Sequence, residues 1–189
     1  MTSKYNGLIV YHASYKTIDK IDLSFSKVNN DFGKGFYVTT DYNQAKKFAF
    51  LIAKRKMVDK AYINIYKLVD LNGLKVLEFK DANIDWLKCV SCFRSIVQTK
   101  DVKNYKDKDV IIGKVADDNT NFIINAYIRG VFGEVNNKKA IDAAVSGLKT
   151  DKLKDQLCFK TLPSLKKLLY VKTEGIKYAK NWPKGVLCK

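Results

Sequence analysis

The spacing of apolar and polar residues along the chain predicts short strands from one end to the other. An uninterrupted apolar run at residues 8–11 is typical of a buried strand. Further strands are predicted at residues 36–39, 61–68, 74–79, 109–115, 155–161 and 169–171. Asn72 and Gly73 predict a turn between the strands at 61–68 and 74–79.

Apolar residues at helical spacing predict helices between these strands. The clearest helix begins at Asp41, where the Asp41-x-x-Gln44 spacing is typical of a helix N-terminus. One apolar face of this helix comprises Ala45, Phe48, Ala49, Ile52 and Ala53. Asp81 is predicted to cap a helix that runs to about residue 95. Other helices are predicted at residues 121–129 and 137–149, and a short one begins at Pro163.

The order of these elements favours an α+β domain built on antiparallel sheets. Helices and strands do not alternate strictly, so a doubly wound parallel sheet is not favoured. The 189 residues, 47% of them apolar, suit one compact domain without an internal repeat or linker. Residues 171–189, which include five lysines and one glutamate, are interpreted as a loosely packed basic tail.

The net charge of +16 attracts anions, including nucleotides and nucleic acids. Most of the lysines are interpreted as a solvated surface, because they are scattered and because phosphate forks favour arginine. The arginines are three: Arg55, Arg94 and Arg129. The chain has no apolar run of about 18 residues, and its first six residues lack a secretory pattern. A cytosolic protein with no membrane contact is therefore expected.

Cys89 and Cys92 form a C-x-x-C pair but have no further ligands at zinc-site spacing. They share a helical stripe with Trp86, Val90 and Phe93. We interpret them as cysteines that face a core, with a redox role as the alternative, and we predict that they bind no metal.

His12 and the Gly33-Lys34-Gly35 segment are candidates for a site. His12 is the only histidine and follows a buried strand, where functional side chains often emerge. Composition alone favours a structural histidine bonded to backbone. The two glycines could cradle a phosphate or simply form a tight turn before a strand, since neither a P-loop nor a Rossmann spacing is present.

Three segments taken in order are more specific than these features alone. They are Tyr-His-Ala-Ser at 11–14, Phe-Gly-Lys-Gly-Phe-Tyr at 32–37, and Gln44 with Ala45 on the following helix. Together they resemble the ADP-ribosyltransferase superfamily, in the branch typified by diphtheria toxin and the poly-ADP-ribose polymerases. The chain is also similar to a bacterial family of uncharacterised domains placed in that superfamily. Blocks at 85–87, 109–113, 116–118 and 155–161 extend the resemblance over roughly residues 8–170.

The resemblance implies a split antiparallel β-sandwich with flanking helices, NAD⁺ as co-substrate and no metal. It implies that His12 bonds a ribose hydroxyl, that the backbone of Ala13 holds the nicotinamide carboxamide, and that Tyr37 stacks on nicotinamide. Gln44 would bond the carboxamide and Phe48 would supply a second ring, one residue out of register. Ser14 would buttress the loop. The implied binding residues are His12, Ala13, Ser14, Gly35, Tyr37, Gln44 and Phe48.

The implied catalytic residues are His12, Tyr37 and Gln156. Active polymerase-like relatives carry a glutamate where this chain has Gln156. Glutamine can bond the ribose 2′-hydroxyl but brings no negative charge to an oxocarbenium-like transition state. The carboxylates considered as substitutes are Asp155, on the opposite strand face, and Asp117 and Asp118.

The resemblance therefore implies a mono-ADP-ribosyltransferase, a bacterial intracellular toxin or modifying enzyme that acts on a protein or nucleic acid. The alternative is a catalytically impaired NAD⁺- or nucleotide-binding module that acts through a small, neutralising partner protein. A third interpretation is a plain nucleic-acid-binding protein. It requires aromatic and basic residues interleaved on a sheet face, and Tyr62, Tyr66 and Lys67 hint at this.

Overall fold

The structure is a computed structural model that describes residues 3–95, 103–116, 118–148 and 153–177. These residues form an α+β domain with two sheets, as the order of elements predicted. The strands are β1 (Ile9–Ser14), β2 (Phe36–Val38), β3 (Lys60–Leu68), β4 (Val76–Glu78), β5 (Val110–Lys114), β6 (Asp155–Phe159) and β7 (Leu168–Lys177). The α-helices are α1 (Tyr42–Lys56), α2 (Ile84–Arg94), α3 (Lys103–Lys106), α4 (Asp118–Ile128), α5 (Lys138–Gly147) and α6 (Leu162–Leu165). Short 3₁₀ helices lie at Ser3–Tyr5 and Leu23–Phe25.

The three-stranded sheet has the order β1-β3-β7, and both of its strand pairs are antiparallel. Side chains alternate between its faces, because successive strand residues point in opposite directions. Ala61, Ile63 and Ile65 of β3 pack beneath α1, against Ala45 and Ala49. The opposite face carries Val10 and His12 of β1 together with Asn64 and Tyr66 of β3, which lie opposite them in register.

The four-stranded sheet has the order β2-β6-β5-β4. Its β4 and β5 are parallel, so the expectation of wholly antiparallel sheets is wrong at this edge. The physical reason is the long connection through α2 and α3, which returns the chain in the same direction; a short turn would reverse it. Asn72 and Gly73 form the predicted turn, but the turn does not close a hairpin, since β3 and β4 belong to different sheets.

The two sheets pack face to face around a shared core. Val10 and Tyr66 of the first sheet lie in one buried cluster with Phe36, Ile112 and Leu157 of the second. The outer face of the four-stranded sheet carries a second core, in which Phe32, Ile111 and Cys158 pack against helices α2, α4 and α5. Because β5 and β6 are covered on both faces, their residues form near-continuous apolar runs instead of alternating ones.

Helix starts follow local hydrogen bonding. The Asp41 carboxylate accepts a hydrogen bond from the backbone amide of Gln44, 3.0 Å away, and caps α1 as predicted. The prediction that Asp81 caps the next helix is wrong: Asn83 accepts the capping bond from Trp86 N at 3.0 Å, so α2 begins at Ile84. Asparagine and aspartate are equally good caps, so residue type alone does not decide between Asp81 and Asn83.

Strand β7 is longer than its apolar residues indicated. Its whole length, Leu168–Lys177, pairs with β3, so residues 171–177 belong to the sheet and the interpretation of 171–189 as a tail is wrong for them. Their exposure explains the error. An exposed edge strand with polar and charged residues lacks the alternation of apolar and polar residues by which a strand is recognised in a sequence. Residues 178–189 lie outside the described residues. Among those described, no helix is long and apolar enough to cross a membrane.

Candidate functional site

The described parts of the two sheets are joined by one backbone bridge and then diverge. Tyr11 N donates to Thr39 O at 2.8 Å, and Thr39 N donates to Tyr11 O at 3.0 Å. In an antiparallel ladder the next such pair would be Ala13 and Tyr37. That pair does not form, so β1 and β2 open away from each other at this point.

The imidazole of His12 occupies the opening. Its Nδ1 lies 2.6 Å from the carbonyl oxygen of Tyr37. A carbonyl only accepts hydrogen bonds, so Nδ1 carries the proton and Nε2 of the neutral ring is an acceptor. The ring also stacks on Phe36, with 4.3 Å between centroids. Burial lowers the pKa of His12 below its ordinary value, opposed by the bond to the Tyr37 carbonyl. The structure thus fixes one tautomer and favours the neutral form.

The backbone of Ala13 points into the same opening. Tyr11 directs its amide and carbonyl towards Thr39, away from β3, and Ala13, two residues on, must direct its own the same way. Within the described residues no group bonds them. One donor and one acceptor on an open strand edge match a primary amide, which offers an N–H donor and a carbonyl acceptor side by side.

Gly35, which directly precedes β2, already has hydrogen-bond partners for its backbone amide and carbonyl. Gly35 N donates to Ser26 Oγ at 2.9 Å, and the Ser26 hydroxyl donates to Gly35 O at 2.8 Å, so neither backbone group is left for a ligand. A Cβ on Gly35 would lie 2.9 Å from the carbonyl oxygen of Phe159 and even closer to Cys158. This glycine therefore serves the close approach of β2 and β6.

Gly33 is explained by its own local geometry. Its φ is +76°, and a Cβ there would lie 2.6 Å from the ring of Phe93. Both glycines of the Gly33-Lys34-Gly35 segment thus have packing reasons to be glycine, and the tight turn accounts for them without a phosphate.

Tyr37 is anchored through its hydroxyl. The hydroxyl donates to Gly33 O at 2.6 Å and accepts from Phe32 N at 3.0 Å. Its ring packs against the helical core, and burial raises the pKa of its hydroxyl far above the ordinary value. His12 stacks on Phe36, whose side chain faces the other core, so His12 and Tyr37 lie on opposite faces of β2. Only the ring of Tyr37 remains for a ligand.

Gln156 lies on the Tyr37 side of the sheet, one step past the Val38–Leu157 pair and therefore opposite Thr39. Its Nε2 donates to Asp31 Oδ2 at 2.7 Å and to Lys114 O at 3.2 Å. Gln156 and Tyr37 therefore share one face of the second sheet, whereas His12 lies on the other face and contacts Tyr37 through its backbone carbonyl.

The carboxylate beside Gln156 is Asp31, which the sequence analysis did not single out. Arg94 Nε donates to Asp31 Oδ1 at 2.9 Å, and its Nη2 forms an ion pair with the same oxygen. Both side chains are largely buried, with 13% of Asp31 and 17% of Arg94 exposed. Asp155 bonds Lys114 Nζ at 2.9 Å, on the other strand face as expected. Asp117 and the side chain of Asp118 lie outside the described residues.

Two other predicted binding residues, Gln44 and Ser14, have structural roles, and a third, Phe48, lies away from the site. Gln44 Oε1 accepts from Thr39 Oγ1 at 2.6 Å, next to the bridge. Ser14 Oγ accepts from Lys16 N at 3.2 Å and so supports the following loop. Phe48 is 44% exposed on α1, the helix that covers the face of the first sheet opposite to His12. The structure does not bring Phe48 to His12.

Asn64 is a buried polar residue that the sequence analysis missed. It lies opposite His12 in register and is fully buried. Its Oδ1 accepts from Ile18 N and Thr173 Oγ1, each at 2.8 Å, and its Nδ2 donates to Lys16 O at 3.2 Å. Asn64 therefore fixes the loop after β1. An asparagine inside the apolar run of β3 was the available signal.

A cavity of about 470 Å³ adjoins this corner. Its lining residues are Thr40, Asp41, Tyr42, Leu153, Lys154 and Asp155. Thr40 directly follows the bridging Thr39, and Asp155 directly precedes Gln156. None of His12, Tyr37 and Gln156 lines the cavity.

Cys89 packs in the helical core together with Cys158, as the helical stripe predicted, and Cys92 on the same helix is also buried. Burial raises the pKa of the Cys158 thiol to about 12, so a thiolate is disfavoured. The described residues include no group of three or more histidine, cysteine or acidic residues that could hold a metal.

Fold and site together define a two-sheet α+β domain with a polar opening where the sheets part. Residues 8–170 match the model of a family described as protein of unknown function DUF3990, and the chain belongs to that family. No curated protein and no solved structure matches the chain. The family description names no activity, so the resemblance to ADP-ribosyltransferases stays a prediction.

Proposed function

We propose that this chain has the ADP-ribosyltransferase fold and is an NAD⁺-dependent mono-ADP-ribosyltransferase acting on a macromolecule inside a bacterial cell. The observation that carries the proposal is the opening between β1 and β2, with the outward backbone of Ala13 on one side and the oriented His12 at its apex. These groups match the two ends of nicotinamide riboside. The carboxamide pairs with Ala13, and Nε2 of His12 accepts from a ribose hydroxyl.

The chemistry requires negative charge near the anomeric carbon as the bond to nicotinamide breaks. Gln156 has no charge, but its Nε2 donates to Asp31 Oδ2 at 2.7 Å, so the side chain is hydrogen-bonded to a carboxylate. In the proposed mechanism Gln156 orients the ribose and Asp31 polarises Gln156 and supplies the charge. Tyr37 contributes one face of its ring to nicotinamide.

The second candidate is an NAD⁺-binding module without turnover that acts through a small partner protein. A specific observation favours it: Arg94 pairs with Asp31 and offsets the charge on which the mechanism depends. Binding needs only His12, Ala13 and Tyr37, and these do not depend on that charge.

One experiment separates the two candidates. The full chain is incubated with NAD⁺ labelled in the adenylate part, with and without bacterial lysate, and both nicotinamide release and label on macromolecules are measured. Release with transfer of label supports the transferase. Binding by calorimetry with neither release nor transfer supports the module, and absence of binding overturns both.

A further inference from the structure

A cluster of tyrosines and lysines lies at one corner of the three-stranded sheet. The Nζ atoms of Lys16 and Lys56 lie 5.3 and 5.2 Å from the ring centroid of Tyr15. Lys60 Nζ lies 5.1 Å from the ring centroid of Tyr62. We call these five residues the tyrosine–lysine patch. Tyr15 is 42% exposed, so its ring is accessible to a ligand.

The fold assembles the patch from three element ends. Tyr15 directly follows Ser14, the last residue of β1, and Ser14 is paired with Tyr62 of β3. Lys56 ends α1 and Lys60 begins β3. The charge of this corner is strongly positive. Its other cations are Lys54 and Arg55 in the last turn of α1, and Lys177, which is paired with Lys60. Asp59 is the carboxylate beside them in the chain.

One member of the patch, Tyr62, lies beside the opening between the sheets. Tyr62 lies on the same face as His12, because it is two residues from Asn64, the partner of His12 in register. Diagonal neighbours of this kind are about 7–8 Å apart. Asn64 also bonds Lys16 O and Ile18 N, which fixes the loop that carries Tyr15.

Tyrosine rings with lysine side chains beside them are suited to binding unpaired nucleotides. A base stacks on a tyrosine ring whatever its sequence, while the lysines neutralise adjacent phosphates. Duplex bases are already stacked and would leave the rings unused. Tyr66, one of the residues that hinted at nucleic-acid binding, is fully buried and bonds Ile18 O at 2.5 Å, so it takes no part.

We propose that the tyrosine–lysine patch binds single-stranded nucleic acid and presents one of its nucleotides to the NAD⁺ site as the acceptor. The acceptor role rests on the proposed transferase function; the binding does not. In the transfer, an N–H or O–H group of the nucleotide forms a bond to the anomeric carbon. The bond to nicotinamide breaks with its electron pair, which neutralises the pyridinium ring, and the acceptor's proton passes to solvent.

Binding is tested by fluorescence polarisation of the full chain with a labelled single-stranded DNA and RNA of mixed sequence. The same DNA as a duplex and a labelled polyglutamate peptide serve as comparison probes. The variants are Tyr15→Ala with Tyr62→Ala, and Tyr15→Phe with Tyr62→Phe, which keeps both rings. Tyr170→Ala is the matched control, because Tyr170 is also 42% exposed and lies on the same sheet.

The expected result is that the double alanine variant binds single strands about tenfold or more weakly, as loss of stacking on two rings requires. The double phenylalanine variant and Tyr170→Ala should bind like wild type. Lys16→Ala with Lys56→Ala should flatten the salt dependence of binding, and Lys138→Ala on α5 should not. Equal affinity of wild type and the double alanine variant, equal affinity for duplex, or preference for polyglutamate would each overturn the proposal.

The acceptor role is tested separately with the labelled NAD⁺. NAD⁺ affinity by calorimetry should be the same in wild type and the double alanine variant, since no patch residue lies in the opening. Label should reach the single strand with wild type and fall in the double alanine variant. Nucleic-acid binding without label transfer, together with nicotinamide release, contradicts only the acceptor role. Absence of NAD⁺ binding contradicts the proposed function and leaves the surface proposal standing.

Discussion

Nδ1 of His12 donates to the carbonyl oxygen of Tyr37 at the position where the amide of Ala13 would donate if the two sheets continued as one ladder. A side chain thus replaces a backbone partner and keeps the strands apart. The replacement satisfies the Tyr37 carbonyl and leaves the Ala13 amide and carbonyl for another molecule. The site therefore depends on the single histidine of the chain in two ways, as a spacer and as an oriented acceptor.

The first prediction concerns pH and stability. Burial lowers the folded pKa of His12 below the unfolded value of about 6.5. The unfolded chain then binds more protons between these two values, so the free energy of unfolding should fall as pH drops below about 6.5. His12 is the only histidine, and carboxylates titrate lower, which isolates its effect between about pH 5 and 7. Urea unfolding at pH 5, 6, 7 and 8 measures the slope.

His12→Gln serves as the control for this slope. Its amide can still donate towards the Tyr37 carbonyl but does not titrate. The variant should show little change in unfolding free energy between pH 7 and 5. A slope as steep as that of wild type would show that another group is responsible.

A second prediction tests the outward amide of Ala13. Ala13→Pro removes that amide without removing a bond between β1 and β3, since the amide points away from β3. NAD⁺ affinity should fall roughly 5- to 100-fold, the range expected for losing one hydrogen bond to a buried polar group. Isothermal calorimetry measures it.

Ile9→Pro is the matched control, because Ile9 lies on the same edge of β1, four residues before Ala13, and is exposed. Both variants should lose similar amounts of stability, and only Ala13→Pro should lose affinity. A similar loss of affinity in Ile9→Pro would attribute the effect to the strand as a whole.

A third prediction concerns Gln156 and Asp31. Gln156→Glu would set two carboxylates at the 2.7 Å separation now spanned by a hydrogen bond. This should raise the pKa of one of them and destabilise the fold by about 1–3 kcal/mol. Combining it with Asp31→Asn again pairs one amide with one carboxylate, so the melting temperature should recover in part, and the loss of the carboxylate bonded to Arg94 limits the recovery. Differential scanning calorimetry of the two single variants and the double variant tests the coupling.

The same variants test catalysis. If Asp31 supplies the charge, Asp31→Asn should lower nicotinamide release by about tenfold to a thousandfold at saturating NAD⁺. The double variant places the carboxylate at position 156 and should regain part of the rate. Unchanged release in Asp31→Asn would remove Asp31 from the mechanism, and unchanged release in Gln156→Ala would show that Gln156 is not at the reacting ribose.

Features set by neighbouring residues could be predicted from the sequence, and features set by distant ones could not. The strand that carries His12 and the cap of α1 by Asp41 follow from a local apolar run and a short side-chain bond, although the run at residues 8–11 did not show that the strand continues through His12 to Ser14. The contact of Gln156 with Asp31 joins residues 125 positions apart, and nothing local to either residue indicates it. The parallel pairing of β4 with β5 likewise depends on how helices and strands pack.

The role of the Gly33-Lys34-Gly35 segment also depends on residues that are distant in the chain. Its spacing suggested a phosphate cradle or a turn, and the choice required knowing what lies behind each glycine. Gly33 is backed by the ring of Phe93, which is 60 positions away, and the sequence does not reveal that neighbour.

The last prediction separates backbone strain from packing at Gly33. Gly33 and Gly73 both have a φ of +76°, so alanine is equally strained at both, by about 1–2 kcal/mol. Gly73 has no atom within 4 Å of the new Cβ, whereas at Gly33 the Cβ would lie 2.6 Å from the Phe93 ring. Gly33→Ala should therefore cost at least about 1–3 kcal/mol more than Gly73→Ala, the usual cost of overpacking a core. Chemical denaturation of both variants measures the difference. Adding Phe93→Leu should recover part of it in Gly33→Ala and none in Gly73→Ala. Equal costs at the two positions would mean that the loop moves away from Phe93, and the hydroxyl bonds from Tyr37 to Phe32 and Gly33 would then not hold it.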